Sequence, residues 1–196
     1  MARPRQDTIK VPTRRRLLEA AEECFGRDGF AEATLADIAS KAGIRRASLL
    51  YHFASKERLY QAVLERLFQA LGEALVLSFD GASEFEVRLM AVTQAFLDFL
   101  EERPAFSALV VRDIMDDRGQ TREQLFALLD PVVSLVEDWV AREGDGVVVP
   151  GLDVRAALLL ICSDALLRHG SGTLGRRLWG QDHRALEMSR RLFFAR

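Results

Sequence analysis

The chain has 196 residues, 49% of them hydrophobic and 29% charged, with a formal net charge of −2. That length supports one sizeable helical core, and that composition excludes a disordered or low-complexity chain. The charge is unevenly spread: the first 66 residues carry 13 Lys/Arg against 9 Asp/Glu, and the remainder 14 against 20. A basic head on an acidic body points to an acidic partner at one end.

Cys24 and Cys162 stand far apart in apolar, helical sequence. They read as two buried thiols in a reducing compartment, neither a disulfide nor a metal site. The start lacks the apolar stretch of a signal peptide, and the longest apolar run, 156–163, falls far short of the roughly 18–20 residues that cross a bilayer. The expectation is a soluble, cytoplasmic protein with no membrane partner.

In chain order, residues 1–12 form a basic arm. The first helix begins near Thr13, which can cap it, and carries Leu17, Leu18, Ala21 and Phe25 at helical spacing. Gly29 suits a left-handed position at its end. Thr34-Leu35-Ala36-Asp37 is a capping-box-like start for a short second helix that stops at Gly43. A third short helix covers about 46–53. Ser55-Lys56-Glu57 then opens a long amphipathic helix through Leu59, Val63, Leu67, Leu71 and Leu75.

Ser83-Glu84-Phe85-Glu86 is a second capping box, and Pro104 suits the first turn of another helix, which runs to about Met115. The next runs from about Thr121 to Arg142 across Pro131, which either kinks it or splits it; a kink is favoured. Residues 144–151 form a loop, with Val147, Val148 and Val149 hemmed in by Gly146 and Pro150. Asp153 caps the following helix, Gly170-Ser171-Gly172 is a turn after it, and a last helix occupies about 183–194. The fold class is therefore all-α, about nine helices.

The most specific stretch is 34–57. Leu35, Ile38 and Ala39 give the second helix an apolar face, Ala42-Gly43-Ile44 makes a turn, and Leu49, Leu50 and Phe53 pack the third helix back. Exposed on that third helix are Arg45, Arg46, Ser48, Tyr51 and His52, which can hydrogen-bond base edges or phosphates and touch a thymine methyl. Two helices, a glycine turn and a polar outer face are what a major-groove reader requires.

On these residues, together with Arg15 to Ala21, Phe25, Gly29 and Phe30, the chain resembles the TetR family of transcription regulators. The match is dense over about 13–60; the rest agrees only in length and helical plan. The resemblance implies a helix-turn-helix head over 13–58 and an effector-binding, dimerising body over 59–196. It implies that Thr34 and Lys56 hold phosphates at helix N-termini, that Arg45, Arg46, Ser48 and Tyr51 face the bases, and that His52 reaches a phosphate. Many family members have Tyr where this chain has Leu50, so the phosphate contact often made by that Tyr is either lost here or taken over by Tyr51. The basic residues Arg3, Arg5, Lys10, Arg14, Arg15 and Arg16 either add groove and backbone contacts or form a merely disordered arm.

A head this small needs a two-fold partner for tight binding, with recognition helices about 34–36 Å apart. The segment 156–162 is apolar almost all round, so one side faces its own core and the other a partner helix. The expected homodimer seam is Leu159, Leu160, Ser163, Leu166 and Leu167 with Leu186, Leu192 and Phe193 of the last helix. Met90, Phe96, Phe99, Phe106, Met115, Phe126 and Trp139, with Phe85, give the body an aromatic and methionine-rich interior. The resemblance implies a cavity there for a small organic effector, with Gln94, Arg112, Asp113 and Asp164 as candidates for its polarity. The family's habit favours repression at a palindromic operator in double-stranded DNA, relieved by that effector.

An enzyme is the main rival. Ser163, Asp164 and His169 share one helix and cannot converge as a catalytic triad. His52 lies on the reading helix and His183 at a helix start; no metal-binding pattern or phosphate-binding glycine loop is present, and no cofactor is expected. A carrier that has lost DNA binding is the second rival, and the intact basic third helix speaks against it.

Overall fold

A computed structural model describes residues 12–80, 84–115, 121–179 and 184–194. Ser83, His183 and the arm residues Arg3, Arg5 and Lys10 lie outside them. Among the described residues there are ten α-helices and no strand: α1 Thr13–Glu32, α2 Leu35–Lys41, α3 Arg46–His52, α4 Lys56–Val76, α5 Phe85–Glu102, α6 Pro104–Met115, α7 Thr121–Glu143, α8 Val154–Gly170, α9 Gly172–Trp179 and α10 Arg184–Phe193. None is long and apolar enough to cross a membrane.

Several ends follow the local chemistry that the sequence announces. Ser55 Oγ accepts the Arg58 amide at 3.2 Å to start α4, and Asp153 Oδ1 accepts that of Ala156 at 2.9 Å to start α8. The start of α1 differs from expectation. Thr13 is already helical and makes no cap; Pro12 precedes it, and its carbonyl accepts the Arg15 and Arg16 amides at 3.0 and 3.2 Å. Gly29 does take a positive φ, 78°, and interrupts α1 there.

α7 runs through Pro131 as one helix. Arg155, at the start of α8, spans that position by bonding Asp130 at 2.8 Å, Ser134 at 2.7 Å and Glu137 at 2.8 Å. The tenth helix is α9, in a stretch the sequence presents only as a turn. It exposes Leu174 and Leu178, so no core-facing stripe announces it. It packs on α8, and Trp179 Nε1 at its end donates to Asp164 Oδ1 of that helix at 2.8 Å.

One hydrophobic core runs from Leu17 in α1 to Phe194. α1 packs on α2, α4 and α6; α6 packs on α8; α5, α7 and α10 complete the body around α4 and α8. Aromatic pairs mark its layers. The Tyr60 ring meets Phe25 at 4.9 Å and Phe30 at 5.0 Å; Phe106 meets Phe68 and Phe99, both at 5.2 Å; Trp139 stacks on Phe79 at 4.8 Å.

The junction of head and body is tight. A Cβ built on Gly26 of α1 would lie 2.5 Å from the Ala105 Cβ and 2.9 Å from its Cα on α6. Gly26→Ala should therefore overpack the crossing and cost about 1–3 kcal/mol of unfolding free energy. Ala105→Gly in the same chain should recover only part of it, because the Ala105 Cα, 2.9 Å away, remains; an unchanged urea midpoint for Gly26→Ala alone would contradict the close approach.

Candidate nucleic-acid interface

The second and third helices are joined as a rigid unit. Thr34 Oγ1 accepts the Asp37 amide at 3.1 Å, which caps the start of α2, and donates to Asp37 Oδ2 at 2.6 Å. Ile38 and Ala39 are buried beneath it. Gly43 takes φ 67°, with its amide bonded to the Ser40 carbonyl at 3.0 Å and that of Ile44 to Ala39 at 3.0 Å. This left-handed residue lets the chain leave α2 and re-enter α3 within a few residues.

α3 is held by Leu49, fully buried, and by Phe53 just past its end. Leu50 departs from the expected inward packing: it is 40% exposed. One residue beyond Leu49 lies about 100° further round the helix, off the buried line. Arg45, Arg46, Ala47, Ser48, Tyr51 and His52 are all exposed, and Tyr51 stands out at 88%. Its ring meets that of His52 edge-on at 5.5 Å.

Tertiary packing adds α1 to this edge. The Arg14 guanidinium lies 5.1 Å over the Phe53 ring, and Arg16 approaches the Gly43 turn. An open cleft of about 500 Å³ is lined by Thr13, by Ile44 of the turn and by Ala47, Ser48, Tyr51 and His52 of α3. Basic residues of α1 and the exposed side of α3 therefore share one surface. Helical periodicity assigns Arg14 and Arg16 to the polar side of α1, but only the angle between α1 and α3 brings them here.

Lys56 is turned elsewhere. Its Nζ donates to the Ala31 carbonyl at 2.8 Å and sits 4.8 Å over the Phe30 ring, tying α4 to the end of α1.

In the body, a cavity of about 60 Å³ lies among α4, α5, α6, α7 and α8. Leu71, Phe96, Phe106, Val110, Val133 and Cys162 are among its lining residues, and every one of them is apolar or a thiol. Burial pushes the Cys162 thiol up to about 12, so it stays protonated and behaves as a small hydrophobe.

Of the expected pocket residues, Phe96 and Phe106 meet at this cavity and the others do not. Met90 is half-buried and does not line it, Phe99 meets Phe106 edge-on without lining it, and Trp139 packs against Phe79 and Phe85. Met115 and Phe126 are 78% and 63% exposed, because each lies on the outer side of its helix. The polar candidates are also elsewhere. Gln94 bonds Asp98 at 2.6 Å, Arg112 reaches α1, Asp113 accepts from Tyr60, and Asp164 accepts from Trp179.

The expected seam divides as well. Leu159, Leu160, Ser163 and Leu167 form an exposed stripe on α8. Leu166 instead lines the cavity, and Phe193 is fully buried in its own chain, with its carbonyl accepting the Val149 amide at 3.0 Å. Leu186 and Leu192 are half-buried, and the outer side of α10 is charged, with Glu187 and Arg191 paired across one turn. Leu174 and Leu178 of α9, unmarked in the sequence, add to the exposed apolar surface of the body.

Residues 17–63 match the model of the bacterial regulatory proteins of the TetR family. The chain is 30% identical over 130 residues to the HTH-type transcriptional activator FasR of Mycolicibacterium smegmatis, covering 66% of this chain and 59% of the length of FasR. It is 27% identical over 170 residues to the nucleoid occlusion factor SlmA of Serratia proteamaculans, covering 84% of this chain and 86% of that protein. Its fold is similar to that of the transcriptional regulator FadR from Bacillus subtilis, solved in complex with stearoyl-CoA, with a TM-score of 0.75 at 15% identity over 91% of this chain and 97% of FadR. The helix-turn-helix head, matched over residues 17–63, thus belongs to the TetR family of bacterial regulatory proteins, and the chain as a whole shares the all-helical fold of a solved transcriptional regulator.

Proposed function

We propose that this protein is a dimeric transcriptional repressor that binds a palindromic operator and is released by an apolar small molecule. The observation that carries the reading is the exposed face of α3, with Arg45, Arg46, Ser48 and Tyr51 outward on a helix locked by Leu49, beside Arg14 and Arg16 of α1. Arginine suits guanine edges and phosphates, and the Tyr51 ring suits a thymine methyl or a phosphate oxygen. His52 and the capped start of α2 at Thr34 are assigned to the backbone. Lys56 is assigned a supporting role there, since its ammonium already serves Ala31.

Selection from a random duplex library at near-physiological salt should enrich a palindrome with half-sites about one helical turn apart. Arg46→Ala and Tyr51→Ala should each lose about 1–3 kcal/mol of preference for it while leaving the dimer and the non-specific affinity in place. Wild-type preference in both variants would remove α3 from base reading. Affinity should also fall steeply with salt, with a slope of about 0.9 per phosphate neutralised; a flat response would favour a carrier over a DNA-binding regulator.

The dimer is assigned to the α8 stripe, which leaves Leu159, Leu160 and Leu167 to water in the single chain. Leu160→Asp should give a folded monomer by sedimentation and abolish palindrome binding; an intact dimer would move the seam elsewhere.

The effector is assigned to the body cavity. Its apolar lining excludes charged ligands, because nothing there repays the desolvation of an ion. At about 60 Å³ it is well below the roughly 300–1,000 Å³ of a formed ligand pocket, so binding must push the helices apart. The FadR structure holding stearoyl-CoA is consistent with a fold that opens around a long alkyl chain. 1-Decanol should therefore lower operator affinity by about 1–3 kcal/mol, where a sugar phosphate does not. A reporter placed behind the operator decides the sign: repression is expected, and activation, as in the name of FasR, would reverse that part.

A further inference from the structure

α1 loses its regular geometry at Gly29, where φ is 78° and ψ 172°. Beyond such a break the following amides turn away from the helix axis, and the carbonyls of the preceding turn need other donors. A single side chain from the body supplies them. Arg112 of α6 donates from Nη1 to the Gly26 carbonyl at 2.8 Å and the Phe25 carbonyl at 3.3 Å, and from Nη2 to that of Arg27 at 3.1 Å. A guanidinium at a helix C-terminal end also complements the partial negative charge there.

The next residue grips α4. Asp113 is buried, and its two carboxylate oxygens accept from the Tyr60 hydroxyl at 2.8 and 2.9 Å. Burial and the adjoining carboxylate hold the Tyr60 phenol well above its ordinary range, so it remains a donor. The Tyr60 ring in turn packs on Phe25 and Phe30 of α1. Two consecutive residues of α6 thus hold both helices that carry the head.

The same helix lines the cavity with Phe106 and Val110. Val110 and Arg112 are separated by only about 3 Å along the helix axis, so the two points move together. Hydrogen bonds at these lengths weaken steeply with a displacement of about 1 Å.

We infer that Arg112 and the Asp113–Tyr60 bond form the clamp that couples the cavity to the head, with Arg112 as the positioning residue that sets the attitude of α1 beside α3. The inference rests on the effector reading above. An occupant that displaces α6 at Val110 pulls the guanidinium from the α1 carbonyls and frees the reading surface from its dimer-imposed spacing.

The test uses the full chain, the palindrome recovered by selection and 1-decanol as the probe, with amide hydrogen exchange and operator affinity as readouts. In the wild type, decanol should slow exchange over 129–136 and 158–166, speed it over 26–33, and weaken operator binding about fivefold or more. In Arg112→Met the slowing at the cavity should persist, the change over 26–33 should vanish, and the weakening should shrink to less than about twofold. Arg112→Lys, which keeps a donor, should restore part of the response, and thermal melting reports whether each variant is folded. Full release by decanol in folded Arg112→Met overturns the clamp. If decanol leaves 129–136 and 158–166 unchanged, it is the effector reading that fails. The clamp is then judged by Cys162→Leu, which fills the cavity from within. That substitution must alter exchange over 26–33 in the wild-type background and not with Arg112→Met, and equal behaviour in the two backgrounds overturns the inference.

Discussion

The crossing of α1 and α6 at Gly26 and Ala105 leaves no room for a side chain on α1, and much of the molecule is arranged around that contact. Because the two backbones meet there, Arg112 can reach the carbonyls before Gly29 and Asp113 can meet Tyr60. The head is therefore not suspended from the body by a linker. It shares α1 and α4 with the body, and a single hydrophobic core passes through both. Any movement of α6 is felt at the head, since close-packed interiors transmit displacement instead of absorbing it.

Head and body differ in what they leave exposed. At the head, burial of Ile38, Leu49 and Phe53 turns arginines, Ser48 and Tyr51 outward. In the body α8 and α9 turn leucines outward, while the outer side of α10 is charged. A polar face on the head and an apolar face on the body suit different kinds of partner, the first a nucleic acid and the second another apolar surface. The body also holds a cavity with no charged lining residue, too small as it stands for a drug-sized ligand.

Much of this is legible in the amino-acid sequence. Caps and turns are local, so Ser55, Asp153 and the Thr34–Asp37 cap lie where spacing placed them. The reading face of α3 was equally legible, apart from Leu50, since seven helical residues with a buried Leu49 admit little choice of orientation. The body was harder. Its helices are apolar on more than one side, so hydrophobicity alone does not say which side meets the core. Leu166 and Phe193 read as seam residues yet are buried within the chain, and Met115 and Phe126 read as interior yet face outward. α9 is not legible in the sequence because its leucines face outward and the bond that joins it to α8 links Trp179 and Asp164, partners 15 residues apart whose pairing no local pattern predicts.

What the sequence by itself determined is the all-helical plan, most of the helix boundaries, the helix-turn-helix and the residues on its outer face. Each depends on interactions between residues within a few positions of one another, where spacing and side-chain chemistry suffice. What only the tertiary structure decided is the placement of Arg14 and Arg16 beside α3, the engagement of Lys56 by Ala31, the position and lining of the cavity, and the grip of Arg112 on α1. These depend on the angles at which helices cross. Crossing angles are set by how whole surfaces interlock, with small residues such as Gly26 allowing approaches that their local sequence does not reveal.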